Sequence, residues 1–448
     1  MRESTSSNQN TQRQQAPDDK EAASTGRLLT LRVLTGRLLI LRVLISWQSR
    51  ARLCSLGTET QRYPARRRSE YGSSVKVLAL EPYFGGSHKA FLDGWSGLSR
   101  HDWTILGLPP FKWKWRMRHA AYSLAEQVRE LMRAGRRWDV IFCSDMLDLA
   151  SFFGLAPVES RGLPAVAYFH ENQLTYPVRH ESERDYHFGY TNMTAASAAE
   201  AVWFNSAFNR DSFLEALSAF LKRMPDYQPF DAIERIRAKS AIQPQGFHPL
   251  PPRPPRSPGP LRILWAARWE HDKNPALFFQ ALERMRASNI AFTVSVIGEQ
   301  FRDSPAVFEN ARNNLHDRID RWGYQASREQ YEAALLEADV TVSTADHEFF
   351  GISVVEAVAA GALPVLPRRL AYPEILSGLD PADDALFFYD GSTDELTQRL
   401  TTLVDRLNNG DLWRGDPLRA ARIIDKYAWP NLAPQLDAAL ESVAEHFT

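Results

Sequence analysis

The chain has 448 residues, 44% of them hydrophobic and 24% charged, and its 53 Lys and Arg against 54 Asp and Glu leave a formal net charge of −1. This is enough apolar material for two domains of about 170–190 residues each, and it excludes a wholly disordered chain and a protein that grips nucleic acid by bulk positive charge. No apolar run approaches the ~18 residues of a membrane span. The two cysteines, Cys54 and Cys143, are too few for a disulfide framework and fit a reducing cytoplasm.

Residues 1–72 stand apart from the rest. A Ser/Gln/Asn-rich opening leads into the tandem decamers TGRLLTLRVL (25–34) and TGRLLILRVL (35–44), and the stretch closes on ARRR at 65–68. A ten-residue period leaves successive copies about 80° apart on a helix, so it builds no single buried stripe. With no small-residue cleavage site it is also a poor signal peptide. A disordered extension, or a start assigned too far upstream, is the expectation; an Arg-rich membrane-surface or organelle-targeting helix is the alternative. These 72 residues hold 13 Lys/Arg against 6 Asp/Glu, so residues 73–448 carry −8. Any RNA contact by that acidic body must be a local patch.

From residue 73 to 248 short buried strands alternate with helical stretches. Val75–Leu80, Trp103–Leu106, Val140–Ser144, Ala165–His170 and Ala201–Asn205 read as strands, with helices at Arg116–Ala134 and Ala207–Met224. That rhythm predicts a doubly wound parallel sheet. EPYFGGSH (81–88) puts Gly85 and Gly86 between strand and helix, where backbone amides approach an anion or sugar closely. FKWKWRMRH (111–119) interleaves Lys112, Lys114, Arg116 and Arg118 with Trp113 and Trp115, the mixture that stacks unpaired bases and holds their phosphates. The same spacing also fits a helix start whose Trp side chains pack inward. His170, Glu171 and Asn172 follow one strand and Asn205 and Ser206 another, at the edge where such sheets bind ligands. His170 with Glu171, and His180 with His187, lack the HExxH spacing of a zinc helix, and no Asp-x-Asp occurs.

The prolines of 249–260 end both kinds of element and predict a semi-rigid linker. From 261 to 448 the rhythm returns, with strands near Arg262–Ala266, Thr293–Gly298, Val340–Ser343, Leu363–Leu366 and Ala385–Tyr389. Helices are expected near Ala276–Ala287, Arg328–Ala338, Ile352–Ala360, Thr393–Asn408 and Asn431–Phe447. Arg268 and Lys273 fall in the loop after the first of these strands, ahead of Pro275, a favoured first helical residue. HEFFGISVVEA (347–357) places Glu348 in a loop and Glu356 one turn inside a helix that starts at Gly351. The amides of Gly351, Ile352 and Ser353 lie between the two acids. Free amides and helix dipole receive phosphate, two cations neutralise a diphosphate, and two carboxylates grip hydroxyls, which together suit a sugar nucleotide.

Arg268, Lys273, Glu348, Gly351 and Glu356 match the donor site of retaining GT-B glycosyltransferases. LALEPYFGGSHKAFLDGW (78–95), YFHENQLTYPV (168–178), FNSAFNRDSFL (204–214), ARWEHDKNP (267–275) and TADHEFFGISVVEAVAAGALPVLPRRLAYPEI (344–375) resemble the tRNA-queuosine mannosyltransferase family over nearly everything from residue 75 onward. The resemblance implies an α/β GT-B fold of two Rossmann-like domains facing across a cleft, with the last helix folded back onto the first. It implies mannose transfer from GDP-mannose to queuosine in a tRNA anticodon loop, with retention, without an essential metal or other cofactor, in the cytoplasm. In that scheme Arg268 and Lys273 hold the leaving diphosphate, Glu348 the sugar and Glu356 the ribose. His170 reaches the donor sugar, with Gly85 and Gly86 beside it; Glu171, Asn172 and the 112–118 patch face the acceptor. A GT-B transferase acting on a glycan, lipid or small molecule, and a non-enzymatic RNA-binding protein, are the alternative readings.

Overall fold

The computed structural model describes residues 59–63, 74–178, 180, 183–301 and 304–445. The decamer repeat and most of the expected extension lie outside the described residues. One piece of the 1–72 stretch lies inside them: Glu59–Tyr63 is a strand, β1, paired antiparallel to β3 (Asp102–Gly107). These five residues therefore belong to the first sheet and not to an extension.

After β1 come β2 (Lys76–Glu81), α1 (Gly86–Ser96), β3, α2 (Trp113–Arg133), β4 (Val140–Ser144) and α3 (Leu149–Leu155). The first domain continues with β5 (Ala165–Phe169), α4 (Tyr186–Ala198), β6 (Ala201–Phe204), α5 (Ala207–Leu221), α6 (Asp231–Ala238) and β7 (Ser240–Ile242). Past the linker follow β8 (Leu261–Ala266), α7 (Pro275–Ala287), β9 (Phe292–Ile297), α8 (Val307–Asn314), β10 (Ile319–Gly323), α9 (Arg328–Glu337) and β11 (Val340–Val342). Then come α10 (Ile352–Ala359), β12 (Leu363–Pro367), α11 (Tyr372–Ile375), α12 (Pro381–Phe387), β13 (Phe388–Tyr389), α13 (Thr393–Asn408), α14 (Arg419–Ile424) and α15 (Trp429–Glu445).

The sheets run β1-β3-β2-β4-β5-β6-β7 and β10-β9-β8-β11-β12-β13, and every pair except β1–β3 is parallel. Both are doubly wound as expected. From β2 in the first sheet and β8 in the second, successive strands are laid first on one side and then on the other. The order reverses between β2 and β4 in the first sheet and between β8 and β11 in the second, and crevices form at the carboxyl ends of such pairs. Glu81 and Asp145 stand at the first crevice, Arg268 and Thr344 at the second.

Beyond β1, three strands differ from expectation. β7 and β10 were not foreseen, and the strand expected at Ala385–Tyr389 is mostly the end of α12, with only Phe388 and Tyr389 extended. Asp383 and Asp384 in the first turn of α12 favour helix there.

α15 returns to the first domain, as expected. Trp429, Leu432, Leu436 and Leu440 join Phe91, Trp95, Trp103 and Trp203 in one buried cluster, each large side chain contributing about 1.5–3 kcal/mol. Asp437 of α15 accepts from Trp95 Nε1 at 2.8 Å and Ser99 Oγ at 2.7 Å. The chain crosses between domains twice, and the crossings bond to each other: Phe247 N donates to Tyr427 O at 3.1 Å and Trp429 N to Phe247 O at 2.9 Å. The proline-rich linker is no free spacer, because Arg253 and Arg256 pair with buried Asp339 at 3.2 and 2.8 Å.

Candidate functional site

The second crevice is built from two loops laced together. Thr344 Oγ1 donates to Lys273 O at 2.8 Å, Trp265 Nε1 donates to Thr344 Oγ1 at 3.2 Å, and Asp346 N donates to Asp272 O at 2.8 Å. Gly298 follows β9 at φ 149°, where a Cβ would lie 1.8 Å from Ala267 O; only glycine lets this turn press against the Arg268 loop. Asn274 caps α7 through its side chain and Pro275 is its first residue, as the sequence predicts.

Across this scaffold Lys273 Nζ, buried, donates to His347 O at 2.8 Å and Glu348 Oε2 at 3.2 Å and pairs with Asp272 at 3.1 Å. Burial opposes the lysine's charge, but Glu348 and Asp272 outweigh it and hold its pKa above the ordinary value. For Glu348 burial pushes upward, while Lys273 and Arg268 pull its carboxyl below the usual range. His347 is driven down to about 4 by burial and by Lys273. Arg268, on the same loop, lies 3.2 Å from Glu270 and 3.5 Å from the Tyr176 hydroxyl of the first domain. A fixed lysine and a half-exposed arginine thus share one crevice with Glu348.

Gly351 sits at φ 91° ahead of α10, and a Cβ there would lie 3.0 Å from the Tyr372 ring. The amides of Ile352 and Ser353 open the helix and have no intrahelical acceptor. The Ser353 hydroxyl is committed, donating to Ala266 O at 2.7 Å and tying α10 to β8. Glu356 lies one turn further on, accepting from Tyr331 Oη at 2.7 Å and Arg328 at 3.1 Å. The structure therefore brings Arg268, Lys273, Glu348 and the start of α10 together, with Glu356 held from α9.

The first crevice faces them with different chemistry. Glu81 Oε1 accepts from Tyr83 N at 2.8 Å and Ser144 Oγ at 3.0 Å, and Oε2 lies 3.2 Å from His88 Nδ1. The His88 ring stacks on His170 at 4.0 Å, and Gln245 Nε2 donates to His170 Nδ1 at 2.9 Å. Among the described residues this is the one grouping able to offer three metal ligands, Glu81, His88 and His170. The fit is poor, since rings stacked 31° from parallel point their lone pairs side by side and not at a common point. Asp145 is fully buried and its Oδ1 accepts from His170 N at 3.0 Å; burial and Glu171 both raise its pKa well above the usual value. Burial likewise raises Glu171, opposed by His88 and Arg268.

Several expected roles change. Asn172 is fully buried, its Oδ1 accepting from Thr175 N at 2.9 Å and its Nδ2 donating to Asn209 at 3.0 Å, so it shapes the 171–178 loop and is not open to an acceptor. Gly85 N already donates to Tyr83 O at 2.8 Å, which removes its amide from anion binding; Gly86 begins α1. In the aromatic-basic patch, Arg116 is buried and bonded to Pro109 O at 3.0 Å and Phe111 O at 3.3 Å, and Trp113 packs on Phe188. Both are framework. Lys112, Lys114 and Arg118 remain exposed, with Trp115 63% and Phe111 57% exposed. Tyr122, seven residues beyond Trp115 and so on the same face of α2, is also 63% exposed and was missed. Asn205 holds His170 O at 2.7 Å, and Ser206 bonds across the cleft to Phe349 O at 2.6 Å. Glu81, His88, Asp145, Tyr176 and Gln245 were also missed; Glu81 and His88 flank the quoted glycine turn, and a charge ending an apolar strand was the available signal.

Known proteins match this arrangement. The structure of Anabaena HepE in complex with UDP superposes with a TM-score of 0.58 at 14% identity, covering 83% of this chain and all of that one. Sucrose-phosphate synthase from Thermosynechococcus elongatus superposes at 0.58 with 12% identity, covering 84% of this chain and all of its own. Residues 251–408 match the family described as glycosyl transferases group 1. The protein is thus a glycosyltransferase of the GT-B fold. Residues 76–247 match the N-terminal domain of tRNA-queuosine alpha-mannosyltransferase, and the enzyme of that name from Drosophila melanogaster is 36% identical over 311 residues, 67% of this chain and 81% of the relative. The chain belongs to the tRNA-queuosine alpha-mannosyltransferase family.

Proposed function

We propose that this enzyme moves mannose from GDP-mannose to the cyclopentene diol of queuosine in a tRNA anticodon loop, with retention of configuration, in the cytoplasm. The observation that carries the reading is the Lys273–Glu348 pair held beside Arg268 at the β8–β11 crevice, 3.2 Å apart and anchored by two laced loops. Arg268, Lys273 and the first amides of α10 stabilise the diphosphate as negative charge develops on departure. Glu348 positions the sugar and Glu356 the ribose, while His170 meets the sugar from the first domain. The departing phosphate oxygen takes the proton of the attacking hydroxyl on the same face, so neither acid is needed as a nucleophile. Two protein cations supply the charge that a divalent ion supplies elsewhere, and activity is expected to survive chelation.

For the acceptor, Trp115 and Tyr122 on one face of α2, with Lys112, Lys114 and Arg118, offer stacking and phosphate contacts to an unpaired loop. No helix among the described residues is long and apolar enough to cross a membrane. Mass spectrometry of anticodon nucleosides from tRNA incubated with the protein and GDP-mannose tests the reading. A hexose added to queuosine is the expected result. Transfer only from a UDP-sugar would overturn the donor, and transfer only to a glycan or small molecule would overturn the acceptor.

A further inference from the structure

The paired imidazoles at the first crevice have no part in diphosphate binding, and their geometry is unusually restrictive. His88 comes from α1 and His170 from the end of β5, and their rings lie face to face at 4.0 Å. Beside His88 stands Glu81, 3.2 Å from Nδ1 and itself fixed by Tyr83 N and Ser144 Oγ. On the other flank of His170, Gln245 Nε2 donates to Nδ1 at 2.9 Å, and Asn205 and Asp145 hold its backbone oxygen and nitrogen. Tyr168 and Phe91 set their rings edge-on around it at 4.6 and 5.3 Å.

We propose that His88 is a positioning residue for His170: held by Glu81, it carries the pair's one extra proton, so that His170 stays a neutral imidazole that accepts at Nδ1 and bears its single ring hydrogen on Nε2. Two cations stacked at this distance would repel strongly, so the proton that Glu81 secures on His88 excludes a second from His170. The groups facing His88 are Glu81 from β2, Tyr83 from the following turn, Asp145 from the end of β4, and His170 and Glu171 from the end of β5; the three acids all favour its charge. Burial opposes that charge, yet Glu81 carries His88 up to about 9, while burial and His88 together hold His170 well below its ordinary value. The device serves the proposed reaction, on whose reading of His170 it rests: an Nε2–H fixed in tautomer and charge is a constant donor for a sugar hydroxyl across the working pH range.

The test uses the full chain with 15N-labelled histidine, His88 and His170 being assigned through H88Q and H170N. In wild-type protein His88 should remain an imidazolium until about pH 9, and His170 should stay neutral, with its hydrogen on Nε2, well below its ordinary titration range. A His170 that titrates near 6.5, or that carries its hydrogen on Nδ1, overturns the proposal. In H88Q the repulsion from His88 is gone while burial remains, so the His170 titration should move upward, and kcat should fall as the pH is lowered through that new value and recover above it, with KM for the nucleotide sugar changed less than twofold. A uniform loss at every pH would mark His88 as structural only and overturn the proposal. Should H88Q fail to fold, Gln245→Met serves, releasing the tautomer and lowering kcat without changing KM; an unchanged Q245M overturns the clamp. If the titrations hold but H170N transfers sugar normally, the array stands and the role of His170 at the donor sugar falls.

Discussion

The two crevices occupy equivalent positions on equivalent folds, and their chemistry is opposite. At the second, a lysine and an arginine are paired with carboxylates, the lysine locked between Glu348 at 3.2 Å and Asp272 at 3.1 Å and the arginine beside Glu270. At the first, three acids surround a pair of stacked imidazoles, and among the charged groups described there the only cation is a histidine. The sheet supplies a place and the residues at the strand ends supply the reaction. Phosphate belongs where cations are fixed; hydroxyls belong where neutral and anionic groups are.

The harshest way to break this contrast is Lys273→Ala. It removes the charge between Glu348 and Asp272, leaving two acids at a largely closed site, and kcat/KM should fall at least ~100-fold, about 2.7 kcal/mol, with a lower Tm as well. Steady-state kinetics and a thermal melt would show it, and activity within fivefold of wild type would remove Lys273 from the site. Glu348→Gln keeps shape and loses charge, so a loss of at least tenfold, about 1.4 kcal/mol, is expected. Arg268→Ala should also weaken nucleoside diphosphate binding, read by calorimetry. The pair fixes a pH window. The lowered Glu348 pKa contributes stability above its unfolded value near 4.5, lost on acidification through the folded value; the raised Lys273 pKa contributes below 10.5, lost as the pH rises through its folded value. Denaturant midpoints should therefore change less in the K273A variant than in wild type when either limit is crossed.

How much of this could be read from sequence divides along the same line. The second crevice was legible because its parts are contiguous: ARWEHDKNP and HEFFGISVVEA each follow a strand, and each carries its own turn residue. At the first, only His170 and Glu171 were read, since Glu81, His88, Asp145 and Gln245 are scattered over 165 positions and meet them only through topology. The same limit hid β10, an edge strand in which Asp320 and Arg321 break the apolar run, and β7, only three residues long. The aromatic-basic patch was legible as composition but not as orientation, because alternation in sequence does not tell which cations a helix start turns inward; Arg116 went in and Arg118 stayed out.

That correction sharpens the acceptor test. Replacing Lys112, Lys114 and Arg118 with Ala, and leaving Arg116, should lower the salt slope of tRNA binding by about 2, at about 0.7 per single-strand phosphate contact. Trp115→Ala should cost about 1–3 kcal/mol of tRNA affinity. GDP-mannose affinity should not move in either variant, and a tRNA slope equal to wild type would take the patch out of the interface. The smallest effect belongs to Ser206→Ala. It removes the hydrogen bond across the cleft, to Phe349 O at 2.6 Å, along with the α5 cap that Asn209 N makes to the same hydroxyl at 3.0 Å; the cleft bond, about 0.5–1.5 kcal/mol, should show as a KM for the nucleotide sugar raised two- to tenfold with kcat nearly unchanged, and the lost cap as a slightly lower Tm. A fall in kcat alone would show that the bond tunes the chemistry and not the meeting of the two domains.

The seating of α15 on the first domain bears on how the protein is made. Trp429 fills a slot where Gly94 and Gly246 leave no room for a Cβ, and it is joined by Leu432, Leu436 and Leu440. These residues leave the ribosome only after the second domain has been made. The first domain, although almost wholly synthesised by residue 248, cannot close its hydrophobic cluster until the second has emerged and α15 has followed it. During that interval Trp95, Trp103 and Phe91 lack the cover α15 provides, so a truncation before Trp429 should damage the domain farthest from it in sequence, and a chaperone that shields a waiting apolar face has its longest opportunity on the half of the chain that is made first.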